Sequence, residues 1–109
     1  MEVSRGDLVT VVIPGDYGKP RPALVVQSDA FAELPSLTVL PLTSDLQSAP
    51  LVRLTVEPSP ENGLERASQI MIDKAVTVPR AKIGRRVGGV DAVTMREIGS
   101  ALAVFLGLG

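Results

Sequence analysis

The sequence predicts a mainly β domain with added helix, a strongly bent sheet or small barrel closed by one C-terminal helix. Three observations predict it. Short runs rich in β-branched residues, separated by Gly/Pro turns, recur from residue 7 to residue 79. Apolar residues take up helical spacing only beyond residue 91. The 109 residues, 45% of them hydrophobic, are enough for one domain and one modest core, with no linker or repeat.

The elements follow in order. Asp7 to Ile13 (D-L-V-T-V-V-I) reads as a first strand, and Pro14 to Pro20 as a Gly/Pro loop. Arg21 to Ser28 (R-P-A-L-V-V-Q-S) is a second, largely buried strand. Pro22 must lie near its start or at an edge, because proline cannot donate to a ladder. Asp29 to Ala32 suggests a helical turn. Leu37 to Leu42 is a third strand interrupted by Pro41, and Leu51 to Val56 a fourth. Asn62-Gly63 is a reversal signal. Leu64 to Asp73 reads as a fifth strand carrying polar residues, and Ala75 to Pro79 as a short sixth. The basic stretch that follows, ending in Gly88-Gly89, reads as turns. Asp91 can cap a helix whose Met95, Ile98, Leu102 and Phe105 form one apolar stripe for core packing, and Gly107 and Gly109 stop it. Early strands this apolar also suggest a surface buried against a second copy.

Composition excludes several classes of chemistry. There is no cysteine and no histidine, which removes disulfides, thiolates, imidazole bases and conventional zinc sites. No phosphate-binding glycine motif occurs, and the carboxylates are scattered singly, unlike those of a two-metal nuclease. No apolar run approaches a membrane span, and no signal peptide is recognisable at the start, which fits a cytoplasmic protein. Net charge is −1, but residues 1–50 hold three basic and six acidic side chains, and residues 51–109 eight and six. Arg80, Lys82, Arg85 and Arg86 sit close together, as a solvated surface loop or as a phosphate-facing rim.

An enzyme built this way works by positioning and charge stabilisation. RNA permits that, because its 2′-hydroxyl brings the nucleophile with the substrate. Arginine offers a planar fork of donors and a permanent charge for the phosphate, and a threonine hydroxyl can add a neutral hydrogen bond. Gly18-Lys19-Pro20-Arg21-Pro22 places two cations beside a loop, with prolines restraining the backbone on both sides of Arg21. The same segment also suits a loop-to-strand junction with solvated cations. Thr43, just beyond Pro41-Leu42, suits a turn hydroxyl equally well.

The order of these motifs resembles the MazF/PemK family of toxin endoribonucleases. The residues that carry the resemblance are R-G-D-L-V at Arg5–Val9, K-P-R-P-A-L-V-V-Q-S-D at Lys19–Asp29, V-L-P-L-T-S at Val39–Ser44 and S-Q-I-M-I-D-K-A-V-T-V-P-R at Ser68–Arg80. The resemblance implies an SH3-like barrel of the MazF/CcdB toxin type with a C-terminal helix, working as a homodimer. Single-stranded RNA would lie in a groove across the dimer interface. It implies that Arg21 and Thr43 carry metal-independent cleavage to a 2′,3′-cyclic phosphate and a 5′-hydroxyl, with no cofactor. It also implies a small antitoxin partner whose tail crosses the groove, the Pro14–Pro20 loop being a candidate gate. Lys19, Gln69, Lys74 and Arg80 are the candidate RNA-binding residues, although Gln69 suits a solvent-facing strand position as well. Where many relatives carry Arg or Lys, this chain has the neutral Met71, so one cation is lost from the groove, a charge that Lys74 or Arg80 would have to replace. Two alternatives are a DNA gyrase poison of the CcdB type and a non-catalytic barrel that binds a partner. The first depends on a C-terminal tryptophan, and this sequence has none.

Overall fold

The computed structural model describes residues 2–15 and 17–109. Among them are strands β1 (Asp7–Val12), β2 (Pro20–Val25), β3 (Ser36–Thr43), β4 (Arg53–Val56), β5 (Ser68–Met71), β6 (Val76–Pro79) and β7 (Ile83–Gly89), and helix α1 (Ala92–Phe105). Three-residue 3-10 turns occupy Asp29–Phe31, Ile72–Lys74 and Arg80–Lys82. The sheet order is β4-β5-β3-β2-β1-β7, with β6 paired to β3. All pairings given by the register are antiparallel.

Strand alternation explains the two apolar clusters. On one face Leu8, Leu24, Leu40, Leu42, Ile70 and Ile72 pack with Ile98 of α1. On the other Val9, Val11, Ala23, Val25, Leu37, Val39 and Val78 pack together. The apolar early strands are therefore buried within the single chain, and their composition does not itself call for a second copy.

β3 is the hub, and Pro41 marks its bend. Its first half pairs with β6 as far as Val39↔Val76, and its end pairs with β5 from Leu42↔Ile70. Leu40 and Pro41 fall in the gap between these two partners, so the donor that proline lacks is not missed there. The 3-10 turn at Ile72–Lys74 carries the chain from β5 to β6 along the same side of β3. The result is a sharply bent SH3-like barrel, closed by α1.

α1 forms where its stripe predicts. Asp91 caps it by accepting from the Thr94 backbone N–H at 2.8 Å. Met95, Ile98 and Leu102 lie on the first cluster, while Phe105 remains 47% exposed beyond its edge. Gly107, at φ +75°, ends the helix, with Leu108 N–H donating to the Ala103 carbonyl and Gly107 N–H to that of Val104.

Two segments depart from expectation. Residues 83–89 form β7 rather than turns, because pairing along β1 overrides a glycine-rich sequence of low strand propensity. Residues 64–67 are not strand. They leave a loop organised by Asn62, which is 5% exposed. Its Oδ1 accepts from Ser59 N–H (3.0 Å) and Leu64 N–H (2.9 Å), and its Nδ2 donates to the Glu57 carbonyl (2.8 Å). Gly63 follows at φ +67° and lies against the Val87 carbonyl of β7.

A bidentate pair fastens β4 to the turn after β5. Arg53 donates from Nε to Asp73 Oδ1 (3.1 Å) and from Nη2 to Oδ2 (3.2 Å). The Arg53 guanidinium holds the Asp73 carboxyl below the usual carboxylate range. The folded state thus binds this proton more weakly than the unfolded chain. The stabilisation is full above the unfolded value of about 4 and is lost as pH falls below it through the lowered folded value. Asp73→Asn is expected to cost about 1–2 kcal/mol at pH 7. The deficit relative to wild type should shrink as both proteins approach pH 2, as read from urea midpoints across pH. A deficit independent of pH would refute the assignment.

Candidate active site

The register of β2 and β3 brings the two main candidates together. Ala23 pairs with Pro41, so Arg21 and Thr43 each lie two residues beyond the last β2–β3 pair, toward the same end of the two strands. Both line one cleft of about 430 Å³. Pro20 and Pro22 also line it, set at the start of β2 opposite Val12 and Thr10. The prolines thus restrain the backbone at the position where the cation enters the sheet. The Thr43 hydroxyl accepts from Asp45 N–H at 3.1 Å, so it serves a turn and the cleft at once. That bond occupies one lone pair and leaves the hydroxyl hydrogen to donate elsewhere.

Lys19 lines the same cleft, as expected. Arg66, from the Asn62 loop, and Arg85, from β7, line it too. Among the described residues the lining therefore holds four cations against one carboxylate, Glu65. Such a surplus, in a chain of net charge −1, is a local field suited to a polyanion. The cluster Arg80, Lys82, Arg85 and Arg86 is split by the fold. Arg85 reaches the cleft, Arg86 bonds to Asp7 at 3.0 Å, and Lys82 stands on an exposed turn. Arg66 had no signal in the sequence, being a lone cation two residues before a strand. Among the described residues no group of three acidic side chains is arranged to hold a metal ion.

The profile of the PemK-like, MazF-like toxins of type II toxin–antitoxin systems matches residues 4–106. The chain belongs to this family. A probable endoribonuclease MazF of Mycolicibacterium smegmatis is 46% identical over 105 residues, covering 95% of this chain and 96% of the relative. The endoribonuclease EndoA of Bacillus subtilis is 27% identical over 113 residues, covering 99% and 97%. Among solved structures, MazE-MazF of Deinococcus radiodurans shares the fold with a TM-score of 0.79 at 22% identity, covering 100% of this chain and 99% of that one. A mycobacterial endoribonuclease in complex with its cognate antitoxin does so with a TM-score of 0.75 at 24% identity, covering 99% and 96%.

In this MazF-like chain three of the expected RNA-binding residues lie outside the cleft. Gln69 is 5% exposed and its amide is fully engaged. Nε2 donates to the Gln47 carbonyl (3.0 Å) and to Thr55 Oγ1 (3.2 Å), and Oε1 accepts from Gln47 N–H (3.0 Å). It latches the loop between β3 and β4. Gln69→Ala should therefore lower stability by about 1–3 kcal/mol, the cost of orphaning half-buried backbone groups, and leave the affinity of the folded protein for RNA within twofold. Thermal melts and RNA titrations would check both. Arg80 donates from Nε to the Leu34 carbonyl (2.6 Å) and from Nη2 to that of Phe31, fastening the loop that leads into β3. Lys74 is exposed on the 3-10 turn. Met71 is 9% exposed, and its register partner is Arg53. Met71 does not line the cleft, whose cations besides Lys19 and Arg21 are Arg66 and Arg85.

Proposed function

We propose that this toxin is an endoribonuclease that cuts single-stranded RNA, messenger RNA included, and so arrests translation and growth. The observation that carries the reading is that Arg21 and Thr43 line one cationic cleft. The printed names of the Mycolicibacterium and Bacillus relatives support it.

The chemistry follows from the groups present. The ribose 2′-oxygen attacks phosphorus, the new O2′–P bond forms, and the P–O5′ bond breaks. The products are a 2′,3′-cyclic phosphate and a 5′-hydroxyl. Arg21 meets the charge that gathers on the non-bridging oxygens, and Thr43 donates a second hydrogen bond to them. Guanidinium scarcely deprotonates, so Arg21 stabilises charge and does not act as the base. The proton of the 2′-hydroxyl passes to solvent, and the leaving oxygen takes one back. No step calls for a metal ion.

The working unit is a homodimer with RNA in a groove across its interface. Val104, Phe105, Leu106 and Leu108 stand exposed at the end of α1 and are suited to cover by another surface. The partner that holds the toxin in check is a small antitoxin, a reading supported by the mycobacterial endoribonuclease solved in complex with its cognate antitoxin. The Pro14–Pro20 loop, whose residue 16 is outside the described residues, borders the cleft through Lys19 and Pro20 and gates the two ligands. The site of action is the cytoplasm. Among the described residues no helix is long and apolar enough to cross a membrane.

The test is incubation of the pure protein with mixed single-stranded RNA in EDTA, with the new ends identified chemically. Cyclic phosphate and 5′-hydroxyl ends are expected. Intact RNA with trapped gyrase–DNA complexes would replace this reading by a gyrase poison, and silence in both assays by a binding module.

A further inference from the structure

We infer that Arg85 is a second phosphate-binding residue, holding an RNA phosphodiester that flanks the one being cut. The inference rests on the ribonuclease reading and names a subsite within the same cleft.

The placement of Arg85 comes from a built irregularity. In a regular strand Ile83 and Arg85, two apart, would face the same way. Here Ile83 packs against the Val9/Val11 cluster, while Arg85 lines the cleft with Val87, which packs on the opposite cluster. The β1–β7 register slips between Val9↔Arg86 and Val11↔Ile83, so one extra residue is accommodated beside Thr10. Such a bulge re-aims the side chain that follows it. Thr10 secures it, its Oγ1 accepting from Arg85 N–H at 3.0 Å. Gly84 permits it, since a Cβ there would fall 2.2 Å from the same Oγ1.

The guanidinium so placed has no ion pair or hydrogen bond with another described residue. It also stands apart from Arg21. β7 is separated from β2 by β1, two strand spacings, or roughly 10 Å between backbones. Thr43 lies on the far side of β2. Arg85 is therefore set to meet a neighbouring phosphate while Arg21 and Thr43 hold the reacting one.

The probe is a fluorescent single-stranded 2′-O-methyl RNA 12-mer of mixed sequence, which lacks the attacking hydroxyl and stays intact. Its Kd is measured against KCl concentration for wild type, Arg85→Gln, Arg85→Lys and Arg86→Gln. Arg86 is the charge control, bonded to Asp7 and outside the cleft lining. Arg85→Gln should raise Kd about five- to tenfold and reduce the slope of log K against log salt by about 0.7, one single-strand phosphate contact. Arg85→Lys should restore most of the slope, and Arg86→Gln should match wild type. On cleavable RNA, Arg85→Gln should raise KM and leave kcat within twofold. A wild-type slope in Arg85→Gln, equal losses in Arg86→Gln, or a tenfold fall in kcat would each overturn the subsite. Failure of wild type to cut RNA, with the salt behaviour as expected, would overturn the ribonuclease reading and keep the phosphate contact.

Discussion

Arg21→Ala is expected to lower kcat for RNA cleavage by about 10²–10³-fold, the usual loss when a preorganised donor to a developing oxyanion is removed. Its position explains the size. Two prolines restrain its backbone, and it shares the cleft with the Thr43 hydroxyl and with Lys19, its neighbour but one in the chain. A water molecule entering the vacated space would have to reorient as charge develops. Arg21→Lys keeps the charge and loses the planar fork, so an intermediate loss is expected. Thr43→Val removes a neutral hydrogen bond and should cost less, about tenfold. The measurement is single-turnover cleavage at saturating RNA, with circular dichroism confirming the fold. A kcat for Arg21→Ala within threefold of wild type would end the assignment of this residue to the chemistry.

The largest expected effect on stability is that of Gly63→Ala. Gly63 sits at φ +67°, where an L side chain costs about 1–2 kcal/mol. A Cβ would also fall 2.2 Å from the Val87 carbonyl oxygen, a backbone atom that cannot swing aside. Forcing β7 away adds an overpacking cost of about 1–3 kcal/mol. Together these should lower Tm by roughly 10 °C or more for a domain of this size. The loop that Gly63 anchors carries Glu65 and Arg66 into the cleft, so RNA affinity should fall as well. A Tm within 3 °C of wild type would show that the loop and β7 part easily.

Most elements were legible because their signals are local. The stripe of Met95, Ile98 and Leu102 needs only the helical period, and the Asp91 cap needs only its position. β7 was not legible, since I-G-R-R-V-G-G becomes strand only when β1 offers its ladder. Residue chemistry proposed a cation and a hydroxyl, and the family resemblance singled out Arg21 and Thr43. Only the folded chain brings them into the lining of one cleft. Gln69 illustrates the opposite limit, because a polar side chain on a strand gives no sign of whether a loop will fold over it. Arg85 depended on a slipped register held by Thr10, and Arg66 on where an irregular loop turns. Neither arrangement has a short sequence pattern.

The Asn62–Gly63 pair also affects the chemical ageing of this protein. In such pairs the glycine nitrogen can attack the asparagine side-chain carbon, close a succinimide and expel ammonia. Here that nitrogen donates its hydrogen to the Ser59 carbonyl at 3.0 Å, and both ends of the asparagine amide are tied down. Ring closure therefore requires the loop to open. Conversion to aspartate or isoaspartate is expected to be slower in the folded protein than in the unfolded chain. An aspartate would point a carboxylate at the Glu57 carbonyl where an N–H once donated. Time spent unfolded is thus recorded covalently, and each such conversion leaves a molecule less able to regain its native shape.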